Sequence, residues 1–283
     1  MNLWIPEPPP ARNFELEKRQ REFLAKWGSP VPPEAGDSKL PDFAAQCQAM
    51  LNAAPKAISS IMGVYDPAFV SEMKARGILW FANATTVAEA KAAEAAGADA
   101  IVAQGMEAGG HRGTFDAAQA EQQIVGLMAL LPQVVDAVNV PVIAAGGIAD
   151  ARAVAAALIL GASAIYIGTG FLRTPEAKTH PAYAGRLAHT EANDTMLTRA
   201  FSGRAGRSAA NAYVRAASAP DAPPPAPYPV QRGLTGAMRD DARKTGDADR
   251  MQLWAGQSAK LARDEPAGTV AQQLWEDAAR LLP

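Results

Sequence analysis

Short runs of apolar residues alternate with longer, alanine-rich runs through the middle of the chain. Runs that are apolar at nearly every position predict buried strands, and a segment of this kind also stands at the start of the chain. Strands that are apolar on both faces and separated by helices indicate parallel βαβ units. We place five strands at Ala57–Met62, Ile78–Ala82, Ala100–Ala103, Val140–Ala144 and Ala164–Gly168, and a sixth at Asn2–Ile5 if that run is also a strand.

The runs between these strands carry the start and stop signals of helices. Asp66 precedes a proline, and Thr86 stands three residues before Glu89; both arrangements are typical of helix N-termini. Asp150 is placed to cap a helix that Gly161 ends. Further helices are predicted at Phe14–Trp27, around Phe43–Leu51, from about Ala117 to Val138, after Thr174-Pro175-Glu176, at Leu253–Leu261 and at Val270–Leu282.

The position of the glycines favours one of two α/β architectures. A closed barrel needs eight strands, two more than the sequence offers, whereas an open doubly wound sheet would need no others. A dinucleotide-binding sheet carries its glycine-rich fingerprint after the first strand. Here the glycine-rich loops follow the last three strands. We therefore predict an α/β fold, a TIM-type (β/α)8 barrel that lacks its first two strands and has a C-terminal helical extension.

The predicted domain organisation is a single barrel domain over residues 1–283. Residues 6–56 form a helical insertion with charged helix material and a proline-rich turn. Residues 218–230 form a proline-rich connector, which we expect to be extended and to lie on the surface. The remaining residues, 231–283, form a helical segment that packs on the barrel.

Composition narrows the function classes. The chain has 283 residues, 48% of them apolar and 20% charged, with a net charge of −2, as expected for a soluble domain with a sizeable core. This charge argues against nucleic acid or a membrane surface as the partner. Cys47 is the only cysteine, so an internal disulfide is excluded and we expect a cytoplasmic location. No cluster of residues has metal-ligand spacing, so no metal is expected.

Two glycine loops at consecutive strand ends carry the strongest chemical signal. The first is Ala144-Ala145-Gly146-Gly147-Ile148, directly before a helix, and the second is Gly168-Thr169-Gly170-Phe171. Glycine lets backbone N–H groups approach an anion closely, and in barrel enzymes the loops after the last two strands frequently bind phosphate. The alternative, two ordinary tight turns, fits a single loop better than this pair.

A third glycine-rich loop, Gln104–Gly113, contains a histidine. His111 at the C-terminal end of a strand could point into the barrel mouth, and an unperturbed pKa of roughly 6.5 suits proton abstraction. Gln104 offers a donor and an acceptor to a heterocyclic ring. In other regions, structural roles are the simpler expectation. We expect Glu107 and Arg112 to be solvated or ion-paired, His180 and His189 to be exposed, Cys47 to be a small core residue, and Arg204 and Arg207 to form surface or interface pairs as readily as anion contacts.

In combination, these segments resemble the nitronate monooxygenase family, also called 2-nitropropane dioxygenases. The likeness runs from Asn2 to about Ala259. Its main segments are AQGMEAGGHRGTF, PVIAAGGIADARAVAAALILGASA, IGTGFLRTPEA, TRAFSGRAGR and WAGQSA. AGGH alone is shared with flavin-dependent enoyl reductases of the same fold. The family pattern also has two strands before a segment like Asn2–Pro6, and some relatives have a lysine near Asn83.

The resemblance implies FMN bound at the C-terminal ends of the strands. Transferred to this chain, Gly146, Gly147, Gly168 and Thr169 would hold the FMN phosphate, and Gln104 would contact the flavin ring. His111 would lie over the ring as the base or orienting group. The cofactor contacts implied further are Gly109, Gly110, Ala145, Gly256 and Gln257, and Ser258 would close the site on the substrate side.

The reaction implied by the resemblance is oxidation of an alkyl nitronate with O2 to a carbonyl compound and nitrite. A neutral nitroalkane would first need His111 to remove its α-proton, whereas a nitronate would not. One alternative is an FMN-dependent NAD(P)H reductase of the same fold with a quinone or enoyl thioester as acceptor. Another is a truncated, inactive chain. A homodimer is compatible with all three.

Overall fold

Six parallel strands form the main sheet. The structure, a computed structural model, describes residues 1–38 and 40–283. The strands lie in the sheet in the order in which the chain makes them, except that β5 belongs to a second sheet. The main-sheet strands are β1 (Asn2–Trp4), β2 (Ala57–Ile61), β3 (Leu79–Ala84), β4 (Ala100–Gln104), β6 (Val142–Ala145) and β7 (Ala164–Tyr166). A doubly wound sheet would reverse direction at a switch point, so this sequential order confirms the predicted TIM-type architecture.

Helices follow the strands and cover one face of the sheet. The predicted caps are present: Asp66, Thr86 and Asp150 each accept a backbone N–H in the first turn of their helix. The helices are α1 (Phe14–Leu24), α2 (Phe43–Ala53), α3 (Pro67–Ala75), α4 (Val87–Ala95), α5 (Leu127–Val135), α6 (Ala151–Ile159), α7 (Pro181–Leu187), α8 (Ala212–Ala217), α9 (Val230–Leu234), α10 (Gly236–Thr245) and α11 (Ala267–Ala279).

The largest hydrophobic core lies between this helical layer and the sheet. Along β4, Ile101 and Ala103 face that core, whereas Ala100 and Val102 belong to a small cluster on the opposite, concave face. This alternation follows from the two-residue period of a strand. Cys47 is buried in the large core, as predicted for a small apolar residue.

A second, three-stranded antiparallel sheet was not predicted. It contains β5 (Gly110–His111), β9 (Gly206–Ala209) and β8 (Thr195–Thr198), in that order. Its strands are two to four residues long. So short a segment shows no clear alternation of apolar and polar residues, and for this reason the sequence pattern does not reveal it.

Three predicted helices differ from the structure. The helix predicted from about Ala117 to Val138 is a short 3-10 turn followed by α5, which begins only at Leu127, after Gly126. Thr174-Pro175-Glu176 starts a three-residue 3-10 turn, and helix α7 begins later, at Pro181. Of the predicted helix Leu253–Leu261, only Ala259–Leu261 is helical, because Ala255 and its neighbours pair with β9 instead.

The proline-rich segment before α9 is more firmly packed than the sequence suggests. Pro223 and Pro224 accept hydrogen bonds from the buried side chain of Gln20 on α1. Ala226 and Pro229 are buried, and the ring of Tyr228 packs against Trp4. The prediction of a connector on the surface is therefore wrong for its second half. The C-terminal helix α11 packs on α6, on the outer side of the sheet.

Candidate functional site

His111 lies where the two sheets meet. Strand β5 pairs with β9, and this antiparallel pairing places His111 opposite Gly206. The imidazole is held on two sides by Trp4 and Trp254, with ring centroids 4.7 and 4.8 Å away. Its Nε2 atom is 2.7 Å from the hydroxyl oxygen of Ser202. The ring therefore has one defined orientation at the C-terminal end of the parallel sheet.

The surroundings of His111 strongly disfavour its charged form. Burial lowers its pKa to about 3, and the positive charges of Arg204 and Arg232 act in the same direction. The imidazole is therefore neutral near pH 7. A proton that it accepts from a substrate would be shared with a neighbouring group or passed on to one, since the charged ring is disfavoured.

Gln104 lies at the end of β4 and uses its amide to organise the histidine loop. Its Nε2 donates to the carbonyl of His111 at 3.2 Å, and its Oε1 accepts from the backbone N–H of Gly113 at 2.8 Å. Arg112 Nη1 donates to the same oxygen at 3.2 Å. The structure thus brings Gln104 and His111 together, but with the glutamine amide turned towards the loop.

The two late glycine loops lie side by side, because β6 pairs with β7. Gly146 and Gly147 have φ angles of +112° and +71°, which a side chain would strain. Within the residues that the structure describes, the backbone N–H groups of Gly146, Gly147, Gly168 and Thr169 donate no hydrogen bond. Gly146, Gly147 and Thr169 are half-buried and Gly168 is exposed. Four N–H groups without a protein partner at adjacent strand ends are donors that suit an anion.

Residues 107–109 and 255–257 pack tightly beside these loops. A Cβ on Gly109 would lie 2.4 Å from the nitrogen of Gly256. The two segments can therefore pack this closely only because residue 109 is a glycine. The N–H of Gly256 donates to Thr169 Oγ1 at 3.0 Å, and that of Gln257 donates to the carbonyl of Glu107 at 3.0 Å. Gly109, Gly256 and Thr169 therefore lie close together, but the N–H groups of Gly256 and Gln257 are already used within the protein.

Three further predicted site residues are Gly110, Ala145 and Ser258. Gly110 has a φ of +80°, and a Cβ there would meet no atom within 4 Å. Ala145 ends β6 and accepts a hydrogen bond from Gly105 N–H. Ser258 is buried at the start of the 3-10 turn Ala259–Leu261.

Three charged or titratable side chains have other contacts than the sequence suggested. Arg112 is 0% exposed and forms no ion pair with the residues that the structure describes; it donates to the carbonyl of Gly105 at 2.8 Å, and burial lowers its pKa to about 10. Glu107 is half-buried and forms no ion pair with the described residues; both its carboxylate oxygens accept from the N–H of Leu127 at the start of α5. His180 is half-buried and caps α7, because its Nδ1 accepts from Ala182 N–H.

The two arginines of the TRAFSGRAGR segment are buried. Arg204 is 1% exposed, forms an ion pair with Glu7 and donates to the carbonyl of Thr114 at 2.5 Å. Arg207 donates to the carbonyl of Met106 and to Thr195 Oγ1. Both link segments near the histidine loop to the rest of the chain, whereas the expectation was a surface or interface pair or a contact with an anion.

Sequence reasoning missed Ser202, Trp4 and Trp254 as neighbours of His111. They come from three distant parts of the chain, and no local spacing connects them. The one local signal for Ser202 is the glycine that follows it, which indicates a tight turn. Gly203 has a φ of +87°, and a Cβ there would lie 2.4 Å from the carbonyl oxygen of Ala226.

Two cavities flank this region. One of about 260 Å³ lies beyond Trp4 and is lined by Arg204, Arg232 and Tyr228 together with apolar side chains. The other, of about 440 Å³, lies on the concave face of the sheet, against Asn83 and Val102. In residues 1–38 and 40–283, no group of three His, Cys, Asp or Glu could hold a metal ion, and none of the helices is long and apolar enough to cross a membrane.

The sequential parallel sheet and its loop-lined mouth define the class of this protein as a TIM-type (β/α)-barrel protein. The family model for nitronate monooxygenase matches residues 1–277. The chain therefore belongs to the nitronate monooxygenase family. A probable nitronate monooxygenase from Staphylococcus aureus (strain Newman) is 40% identical over 212 residues, which are 75% of this chain and 59% of that protein. The chain thus spans less than two thirds of the length of this curated relative.

Solved structures agree with this assignment. A nitroalkane oxidase from Streptomyces ansochromogenes superposes with a TM-score of 0.85 at 37% identity, over 99% of this chain and 80% of the other. FabK from Thermotoga maritima superposes with a TM-score of 0.67 at 28% identity, over 89% of this chain and 74% of the other.

Proposed function

We propose that this chain binds FMN and oxidises alkyl nitronates with O2, giving a carbonyl compound and nitrite. One observation carries the proposal: the four free N–H groups of Gly146, Gly147, Gly168 and Thr169 lie at the same end of the sheet as His111. Family membership and the likeness to a nitroalkane oxidase support this activity.

The residues present fit the phosphate of a flavin mononucleotide better than they fit its ring. Free N–H donors suit a phosphate, and helix α6 begins a few residues after Gly147, so its N-terminus adds a favourable dipole. Gly168 has room for a ligand, since a Cβ there would meet no atom within 4 Å. For the ring, Gln104 is the proposed contact, but its amide already bonds the histidine loop. The second N–H of that amide is the group that would remain for a contact with the flavin.

When bound, the flavin would supply the electron-accepting chemistry, and the protein would position the substrate. The neutral imidazole of His111 would orient a nitronate without adding charge. With a neutral nitroalkane, the same imidazole would accept the α-proton. Trp4 and Trp254 would exclude water from both sides of the ring. Gly109, Gly110, Ala145, Gly256 and Gln257 would shape the flavin pocket, and Ser258 would contact the substrate.

Anaerobic mixing of the FMN-loaded protein with single reagents tests this function. A nitronate is expected to bleach the flavin, whereas NADH is not. Bleaching by NADH and not by the nitronate would favour the alternative reductase, which would use the same loops with a quinone or enoyl thioester as acceptor. Failure of both reagents to bleach bound flavin would contradict both functions.

A protein that stays colourless with added FMN would contradict the cofactor as well. Under aerobic conditions, the expected products of the nitronate reaction are nitrite and the carbonyl compound. Nitrite detected by a colorimetric assay would have to depend on both the protein and O2.

A further inference from the structure

The hydroxyl group of Ser202 is the polar group closest to the imidazole of His111, and it has three neighbours. The oxygen lies 2.7 Å from His111 Nε2, and it accepts from the backbone N–H of Arg204 at 3.3 Å. It also lies 3.1 Å from the carbonyl oxygen of Arg204, to which it can donate. Ser202 has a single hydroxyl proton, so it can donate to the carbonyl or to the imidazole, but not to both.

The backbone accounts for that proton. Among the residues that the structure describes, Ser202 is the only donor to the Arg204 carbonyl. Arg204 and Ser202 are both buried, and a buried carbonyl without a partner is costly. If the serine donates to this carbonyl, its oxygen accepts from His111 Nε2–H, and every group is paired.

The other nitrogen of the ring is differently placed. His111 Nδ1 forms no hydrogen bond with the described residues. It is also absent from the fully buried, unpaired side-chain atoms, which are Asn83 Oδ1, Arg112 Nε and Nη2, and Arg204 Nε. Nδ1 is therefore not fully buried and is free to accept a hydrogen bond, while Nε2 is turned to the serine.

We propose that Ser202 is a positioning residue that holds His111 in the Nε2–H tautomer, so that Nδ1 is the atom that accepts the α-proton of a neutral nitroalkane. In that step the substrate C–H bond breaks, its electron pair moves into the nitro group to give the nitronate, and the proton forms a bond to Nδ1. The contacts of Trp4 and Trp254 keep the ring from turning over. The role in proton transfer rests on the proposed function, whereas the tautomer does not.

Nitrogen NMR on protein labelled only at histidine tests the tautomer directly. The chain has three histidines, and a His111→Gln variant assigns the relevant signals. His180 is an internal reference, because its Nδ1 accepts from Ala182 N–H and its neutral form must carry the proton on Nε2. We expect His111 at pH 7 to show the same pattern as His180. A proton on Nδ1 would overturn the proposal.

Variants of Ser202 test the cause. Ser202→Ala should shift His111 towards Nδ1–H, since Nε2–H loses its acceptor while Nδ1 can still reach water. Ser202→Thr keeps the hydroxyl and should restore the wild-type pattern. The matched control is Ser208→Ala. Ser208 is another buried serine of the same small sheet, but it donates to the carbonyl of Leu253 at 2.8 Å and forms no hydrogen bond with His111. An unchanged tautomer in Ser202→Ala would contradict the role of the serine.

Kinetics separate positioning from general damage. For Ser202→Ala we expect the ratio of kcat/KM for a nitroalkane to that for its nitronate to fall about tenfold, the effect of one lost hydrogen bond of about 1.4 kcal/mol. Ser208→Ala should leave this ratio unchanged. Equal losses on both substrates would overturn the positioning role. If the protein oxidises neither substrate, the proposed function fails, but the NMR result still decides the tautomer. If Ser202→Ala does not fold, Ser202→Thr and the wild-type spectrum decide.

Discussion

The lowered pKa of His111 makes the stability of the folded protein depend on pH. The folded protein binds a proton on His111 only near pH 3, whereas an unfolded histidine titrates near 6.5. Between these values the unfolded chain binds more protons than the folded chain. The contribution of His111 to the free energy of unfolding is therefore full above about pH 6.5 and is lost as the pH falls towards 3.

We predict that the wild-type protein loses more unfolding free energy between pH 7.5 and pH 5 than a His111→Gln variant does. Urea unfolding at the two pH values measures the difference. His189→Gln, which changes an exposed histidine, is the control and should keep the wild-type pH dependence. The same pH dependence in wild type and His111→Gln would contradict the low pKa.

Glu107, which was expected to be solvated or ion-paired, links the histidine loop to helix α5. Its carboxylate caps α5, and a Cβ on Gly147 would lie 3.2 Å from its side chain. Glu107→Ala should lower the unfolding free energy by about 1 kcal/mol, as for a lost helix cap, and should also weaken FMN binding. Asp42→Ala removes the cap of α2, away from the mouth, and should cost about as much stability without affecting FMN. Denaturant unfolding and FMN titration of both variants check this, and equal FMN affinities would show that Glu107 has no part in the site.

What the sequence could reveal about these residues depends on distance along the chain. The loop that carries Gln104 and His111 could be placed at a strand end because glycines mark it. The burial of Arg112 could not be predicted, because arginine is usually exposed. Its partner is a backbone carbonyl, that of Gly105, which reaches the guanidinium only when the loop is folded. Ser202 approaches His111 across 91 positions of sequence, which no local pattern encodes.

At the scale of elements, patterning predicted the parallel strands and their capped helices. Both rest on local rules, the strand period and the N-cap, and these rules act within a few residues. The helix predicted from about Ala117 to Val138 was too long because its interruption is not local. The carboxylate of Glu107 accepts a hydrogen bond from the N–H of Leu127, and helix α5 begins at that residue.

The two glycine loops yield a prediction that separates folding from binding. Gly146→Ala and Gly147→Ala place a side chain at positive φ, so each should lose about 1 kcal/mol or more of stability and weaken FMN binding. Gly168→Ala has an ordinary φ of −99° and open space around its Cβ. It should keep its stability but still bind FMN more weakly, because the methyl group occupies ligand space.

Gly185→Ala is the control for this series. Gly185 lies in α7 with no atom within 4 Å of a Cβ, so the substitution should stabilise the chain by about 0.5 to 1 kcal/mol and leave FMN affinity unchanged. Unfolding and FMN titration are measured for all four variants. Unchanged FMN affinity in Gly146→Ala, Gly147→Ala and Gly168→Ala would contradict the phosphate site.

At the scale of the whole molecule, the sheet order brings three glycine-rich loops to one end of the fold. The strands β4, β6 and β7 are neighbours, and the loops that follow them are the histidine loop and the two loops with free N–H groups. The smaller sheet then sets His111 against Ser202 and Trp254. The sequence predicted the first arrangement from strand order, but the second depends on pairing between remote segments.

The most direct test of the account compares the dissociation constants of FMN and riboflavin, which differ only in the phosphate, by quenching of flavin fluorescence. Charge-assisted hydrogen bonds contribute about 1.5 to 3 kcal/mol each, so FMN should bind at least about tenfold more tightly than riboflavin. Raising the phosphate concentration should reduce this difference. Equal affinity for the two flavins, or binding of neither, would contradict the claim that the loops at Gly146–Gly147 and Gly168–Thr169 hold a flavin phosphate.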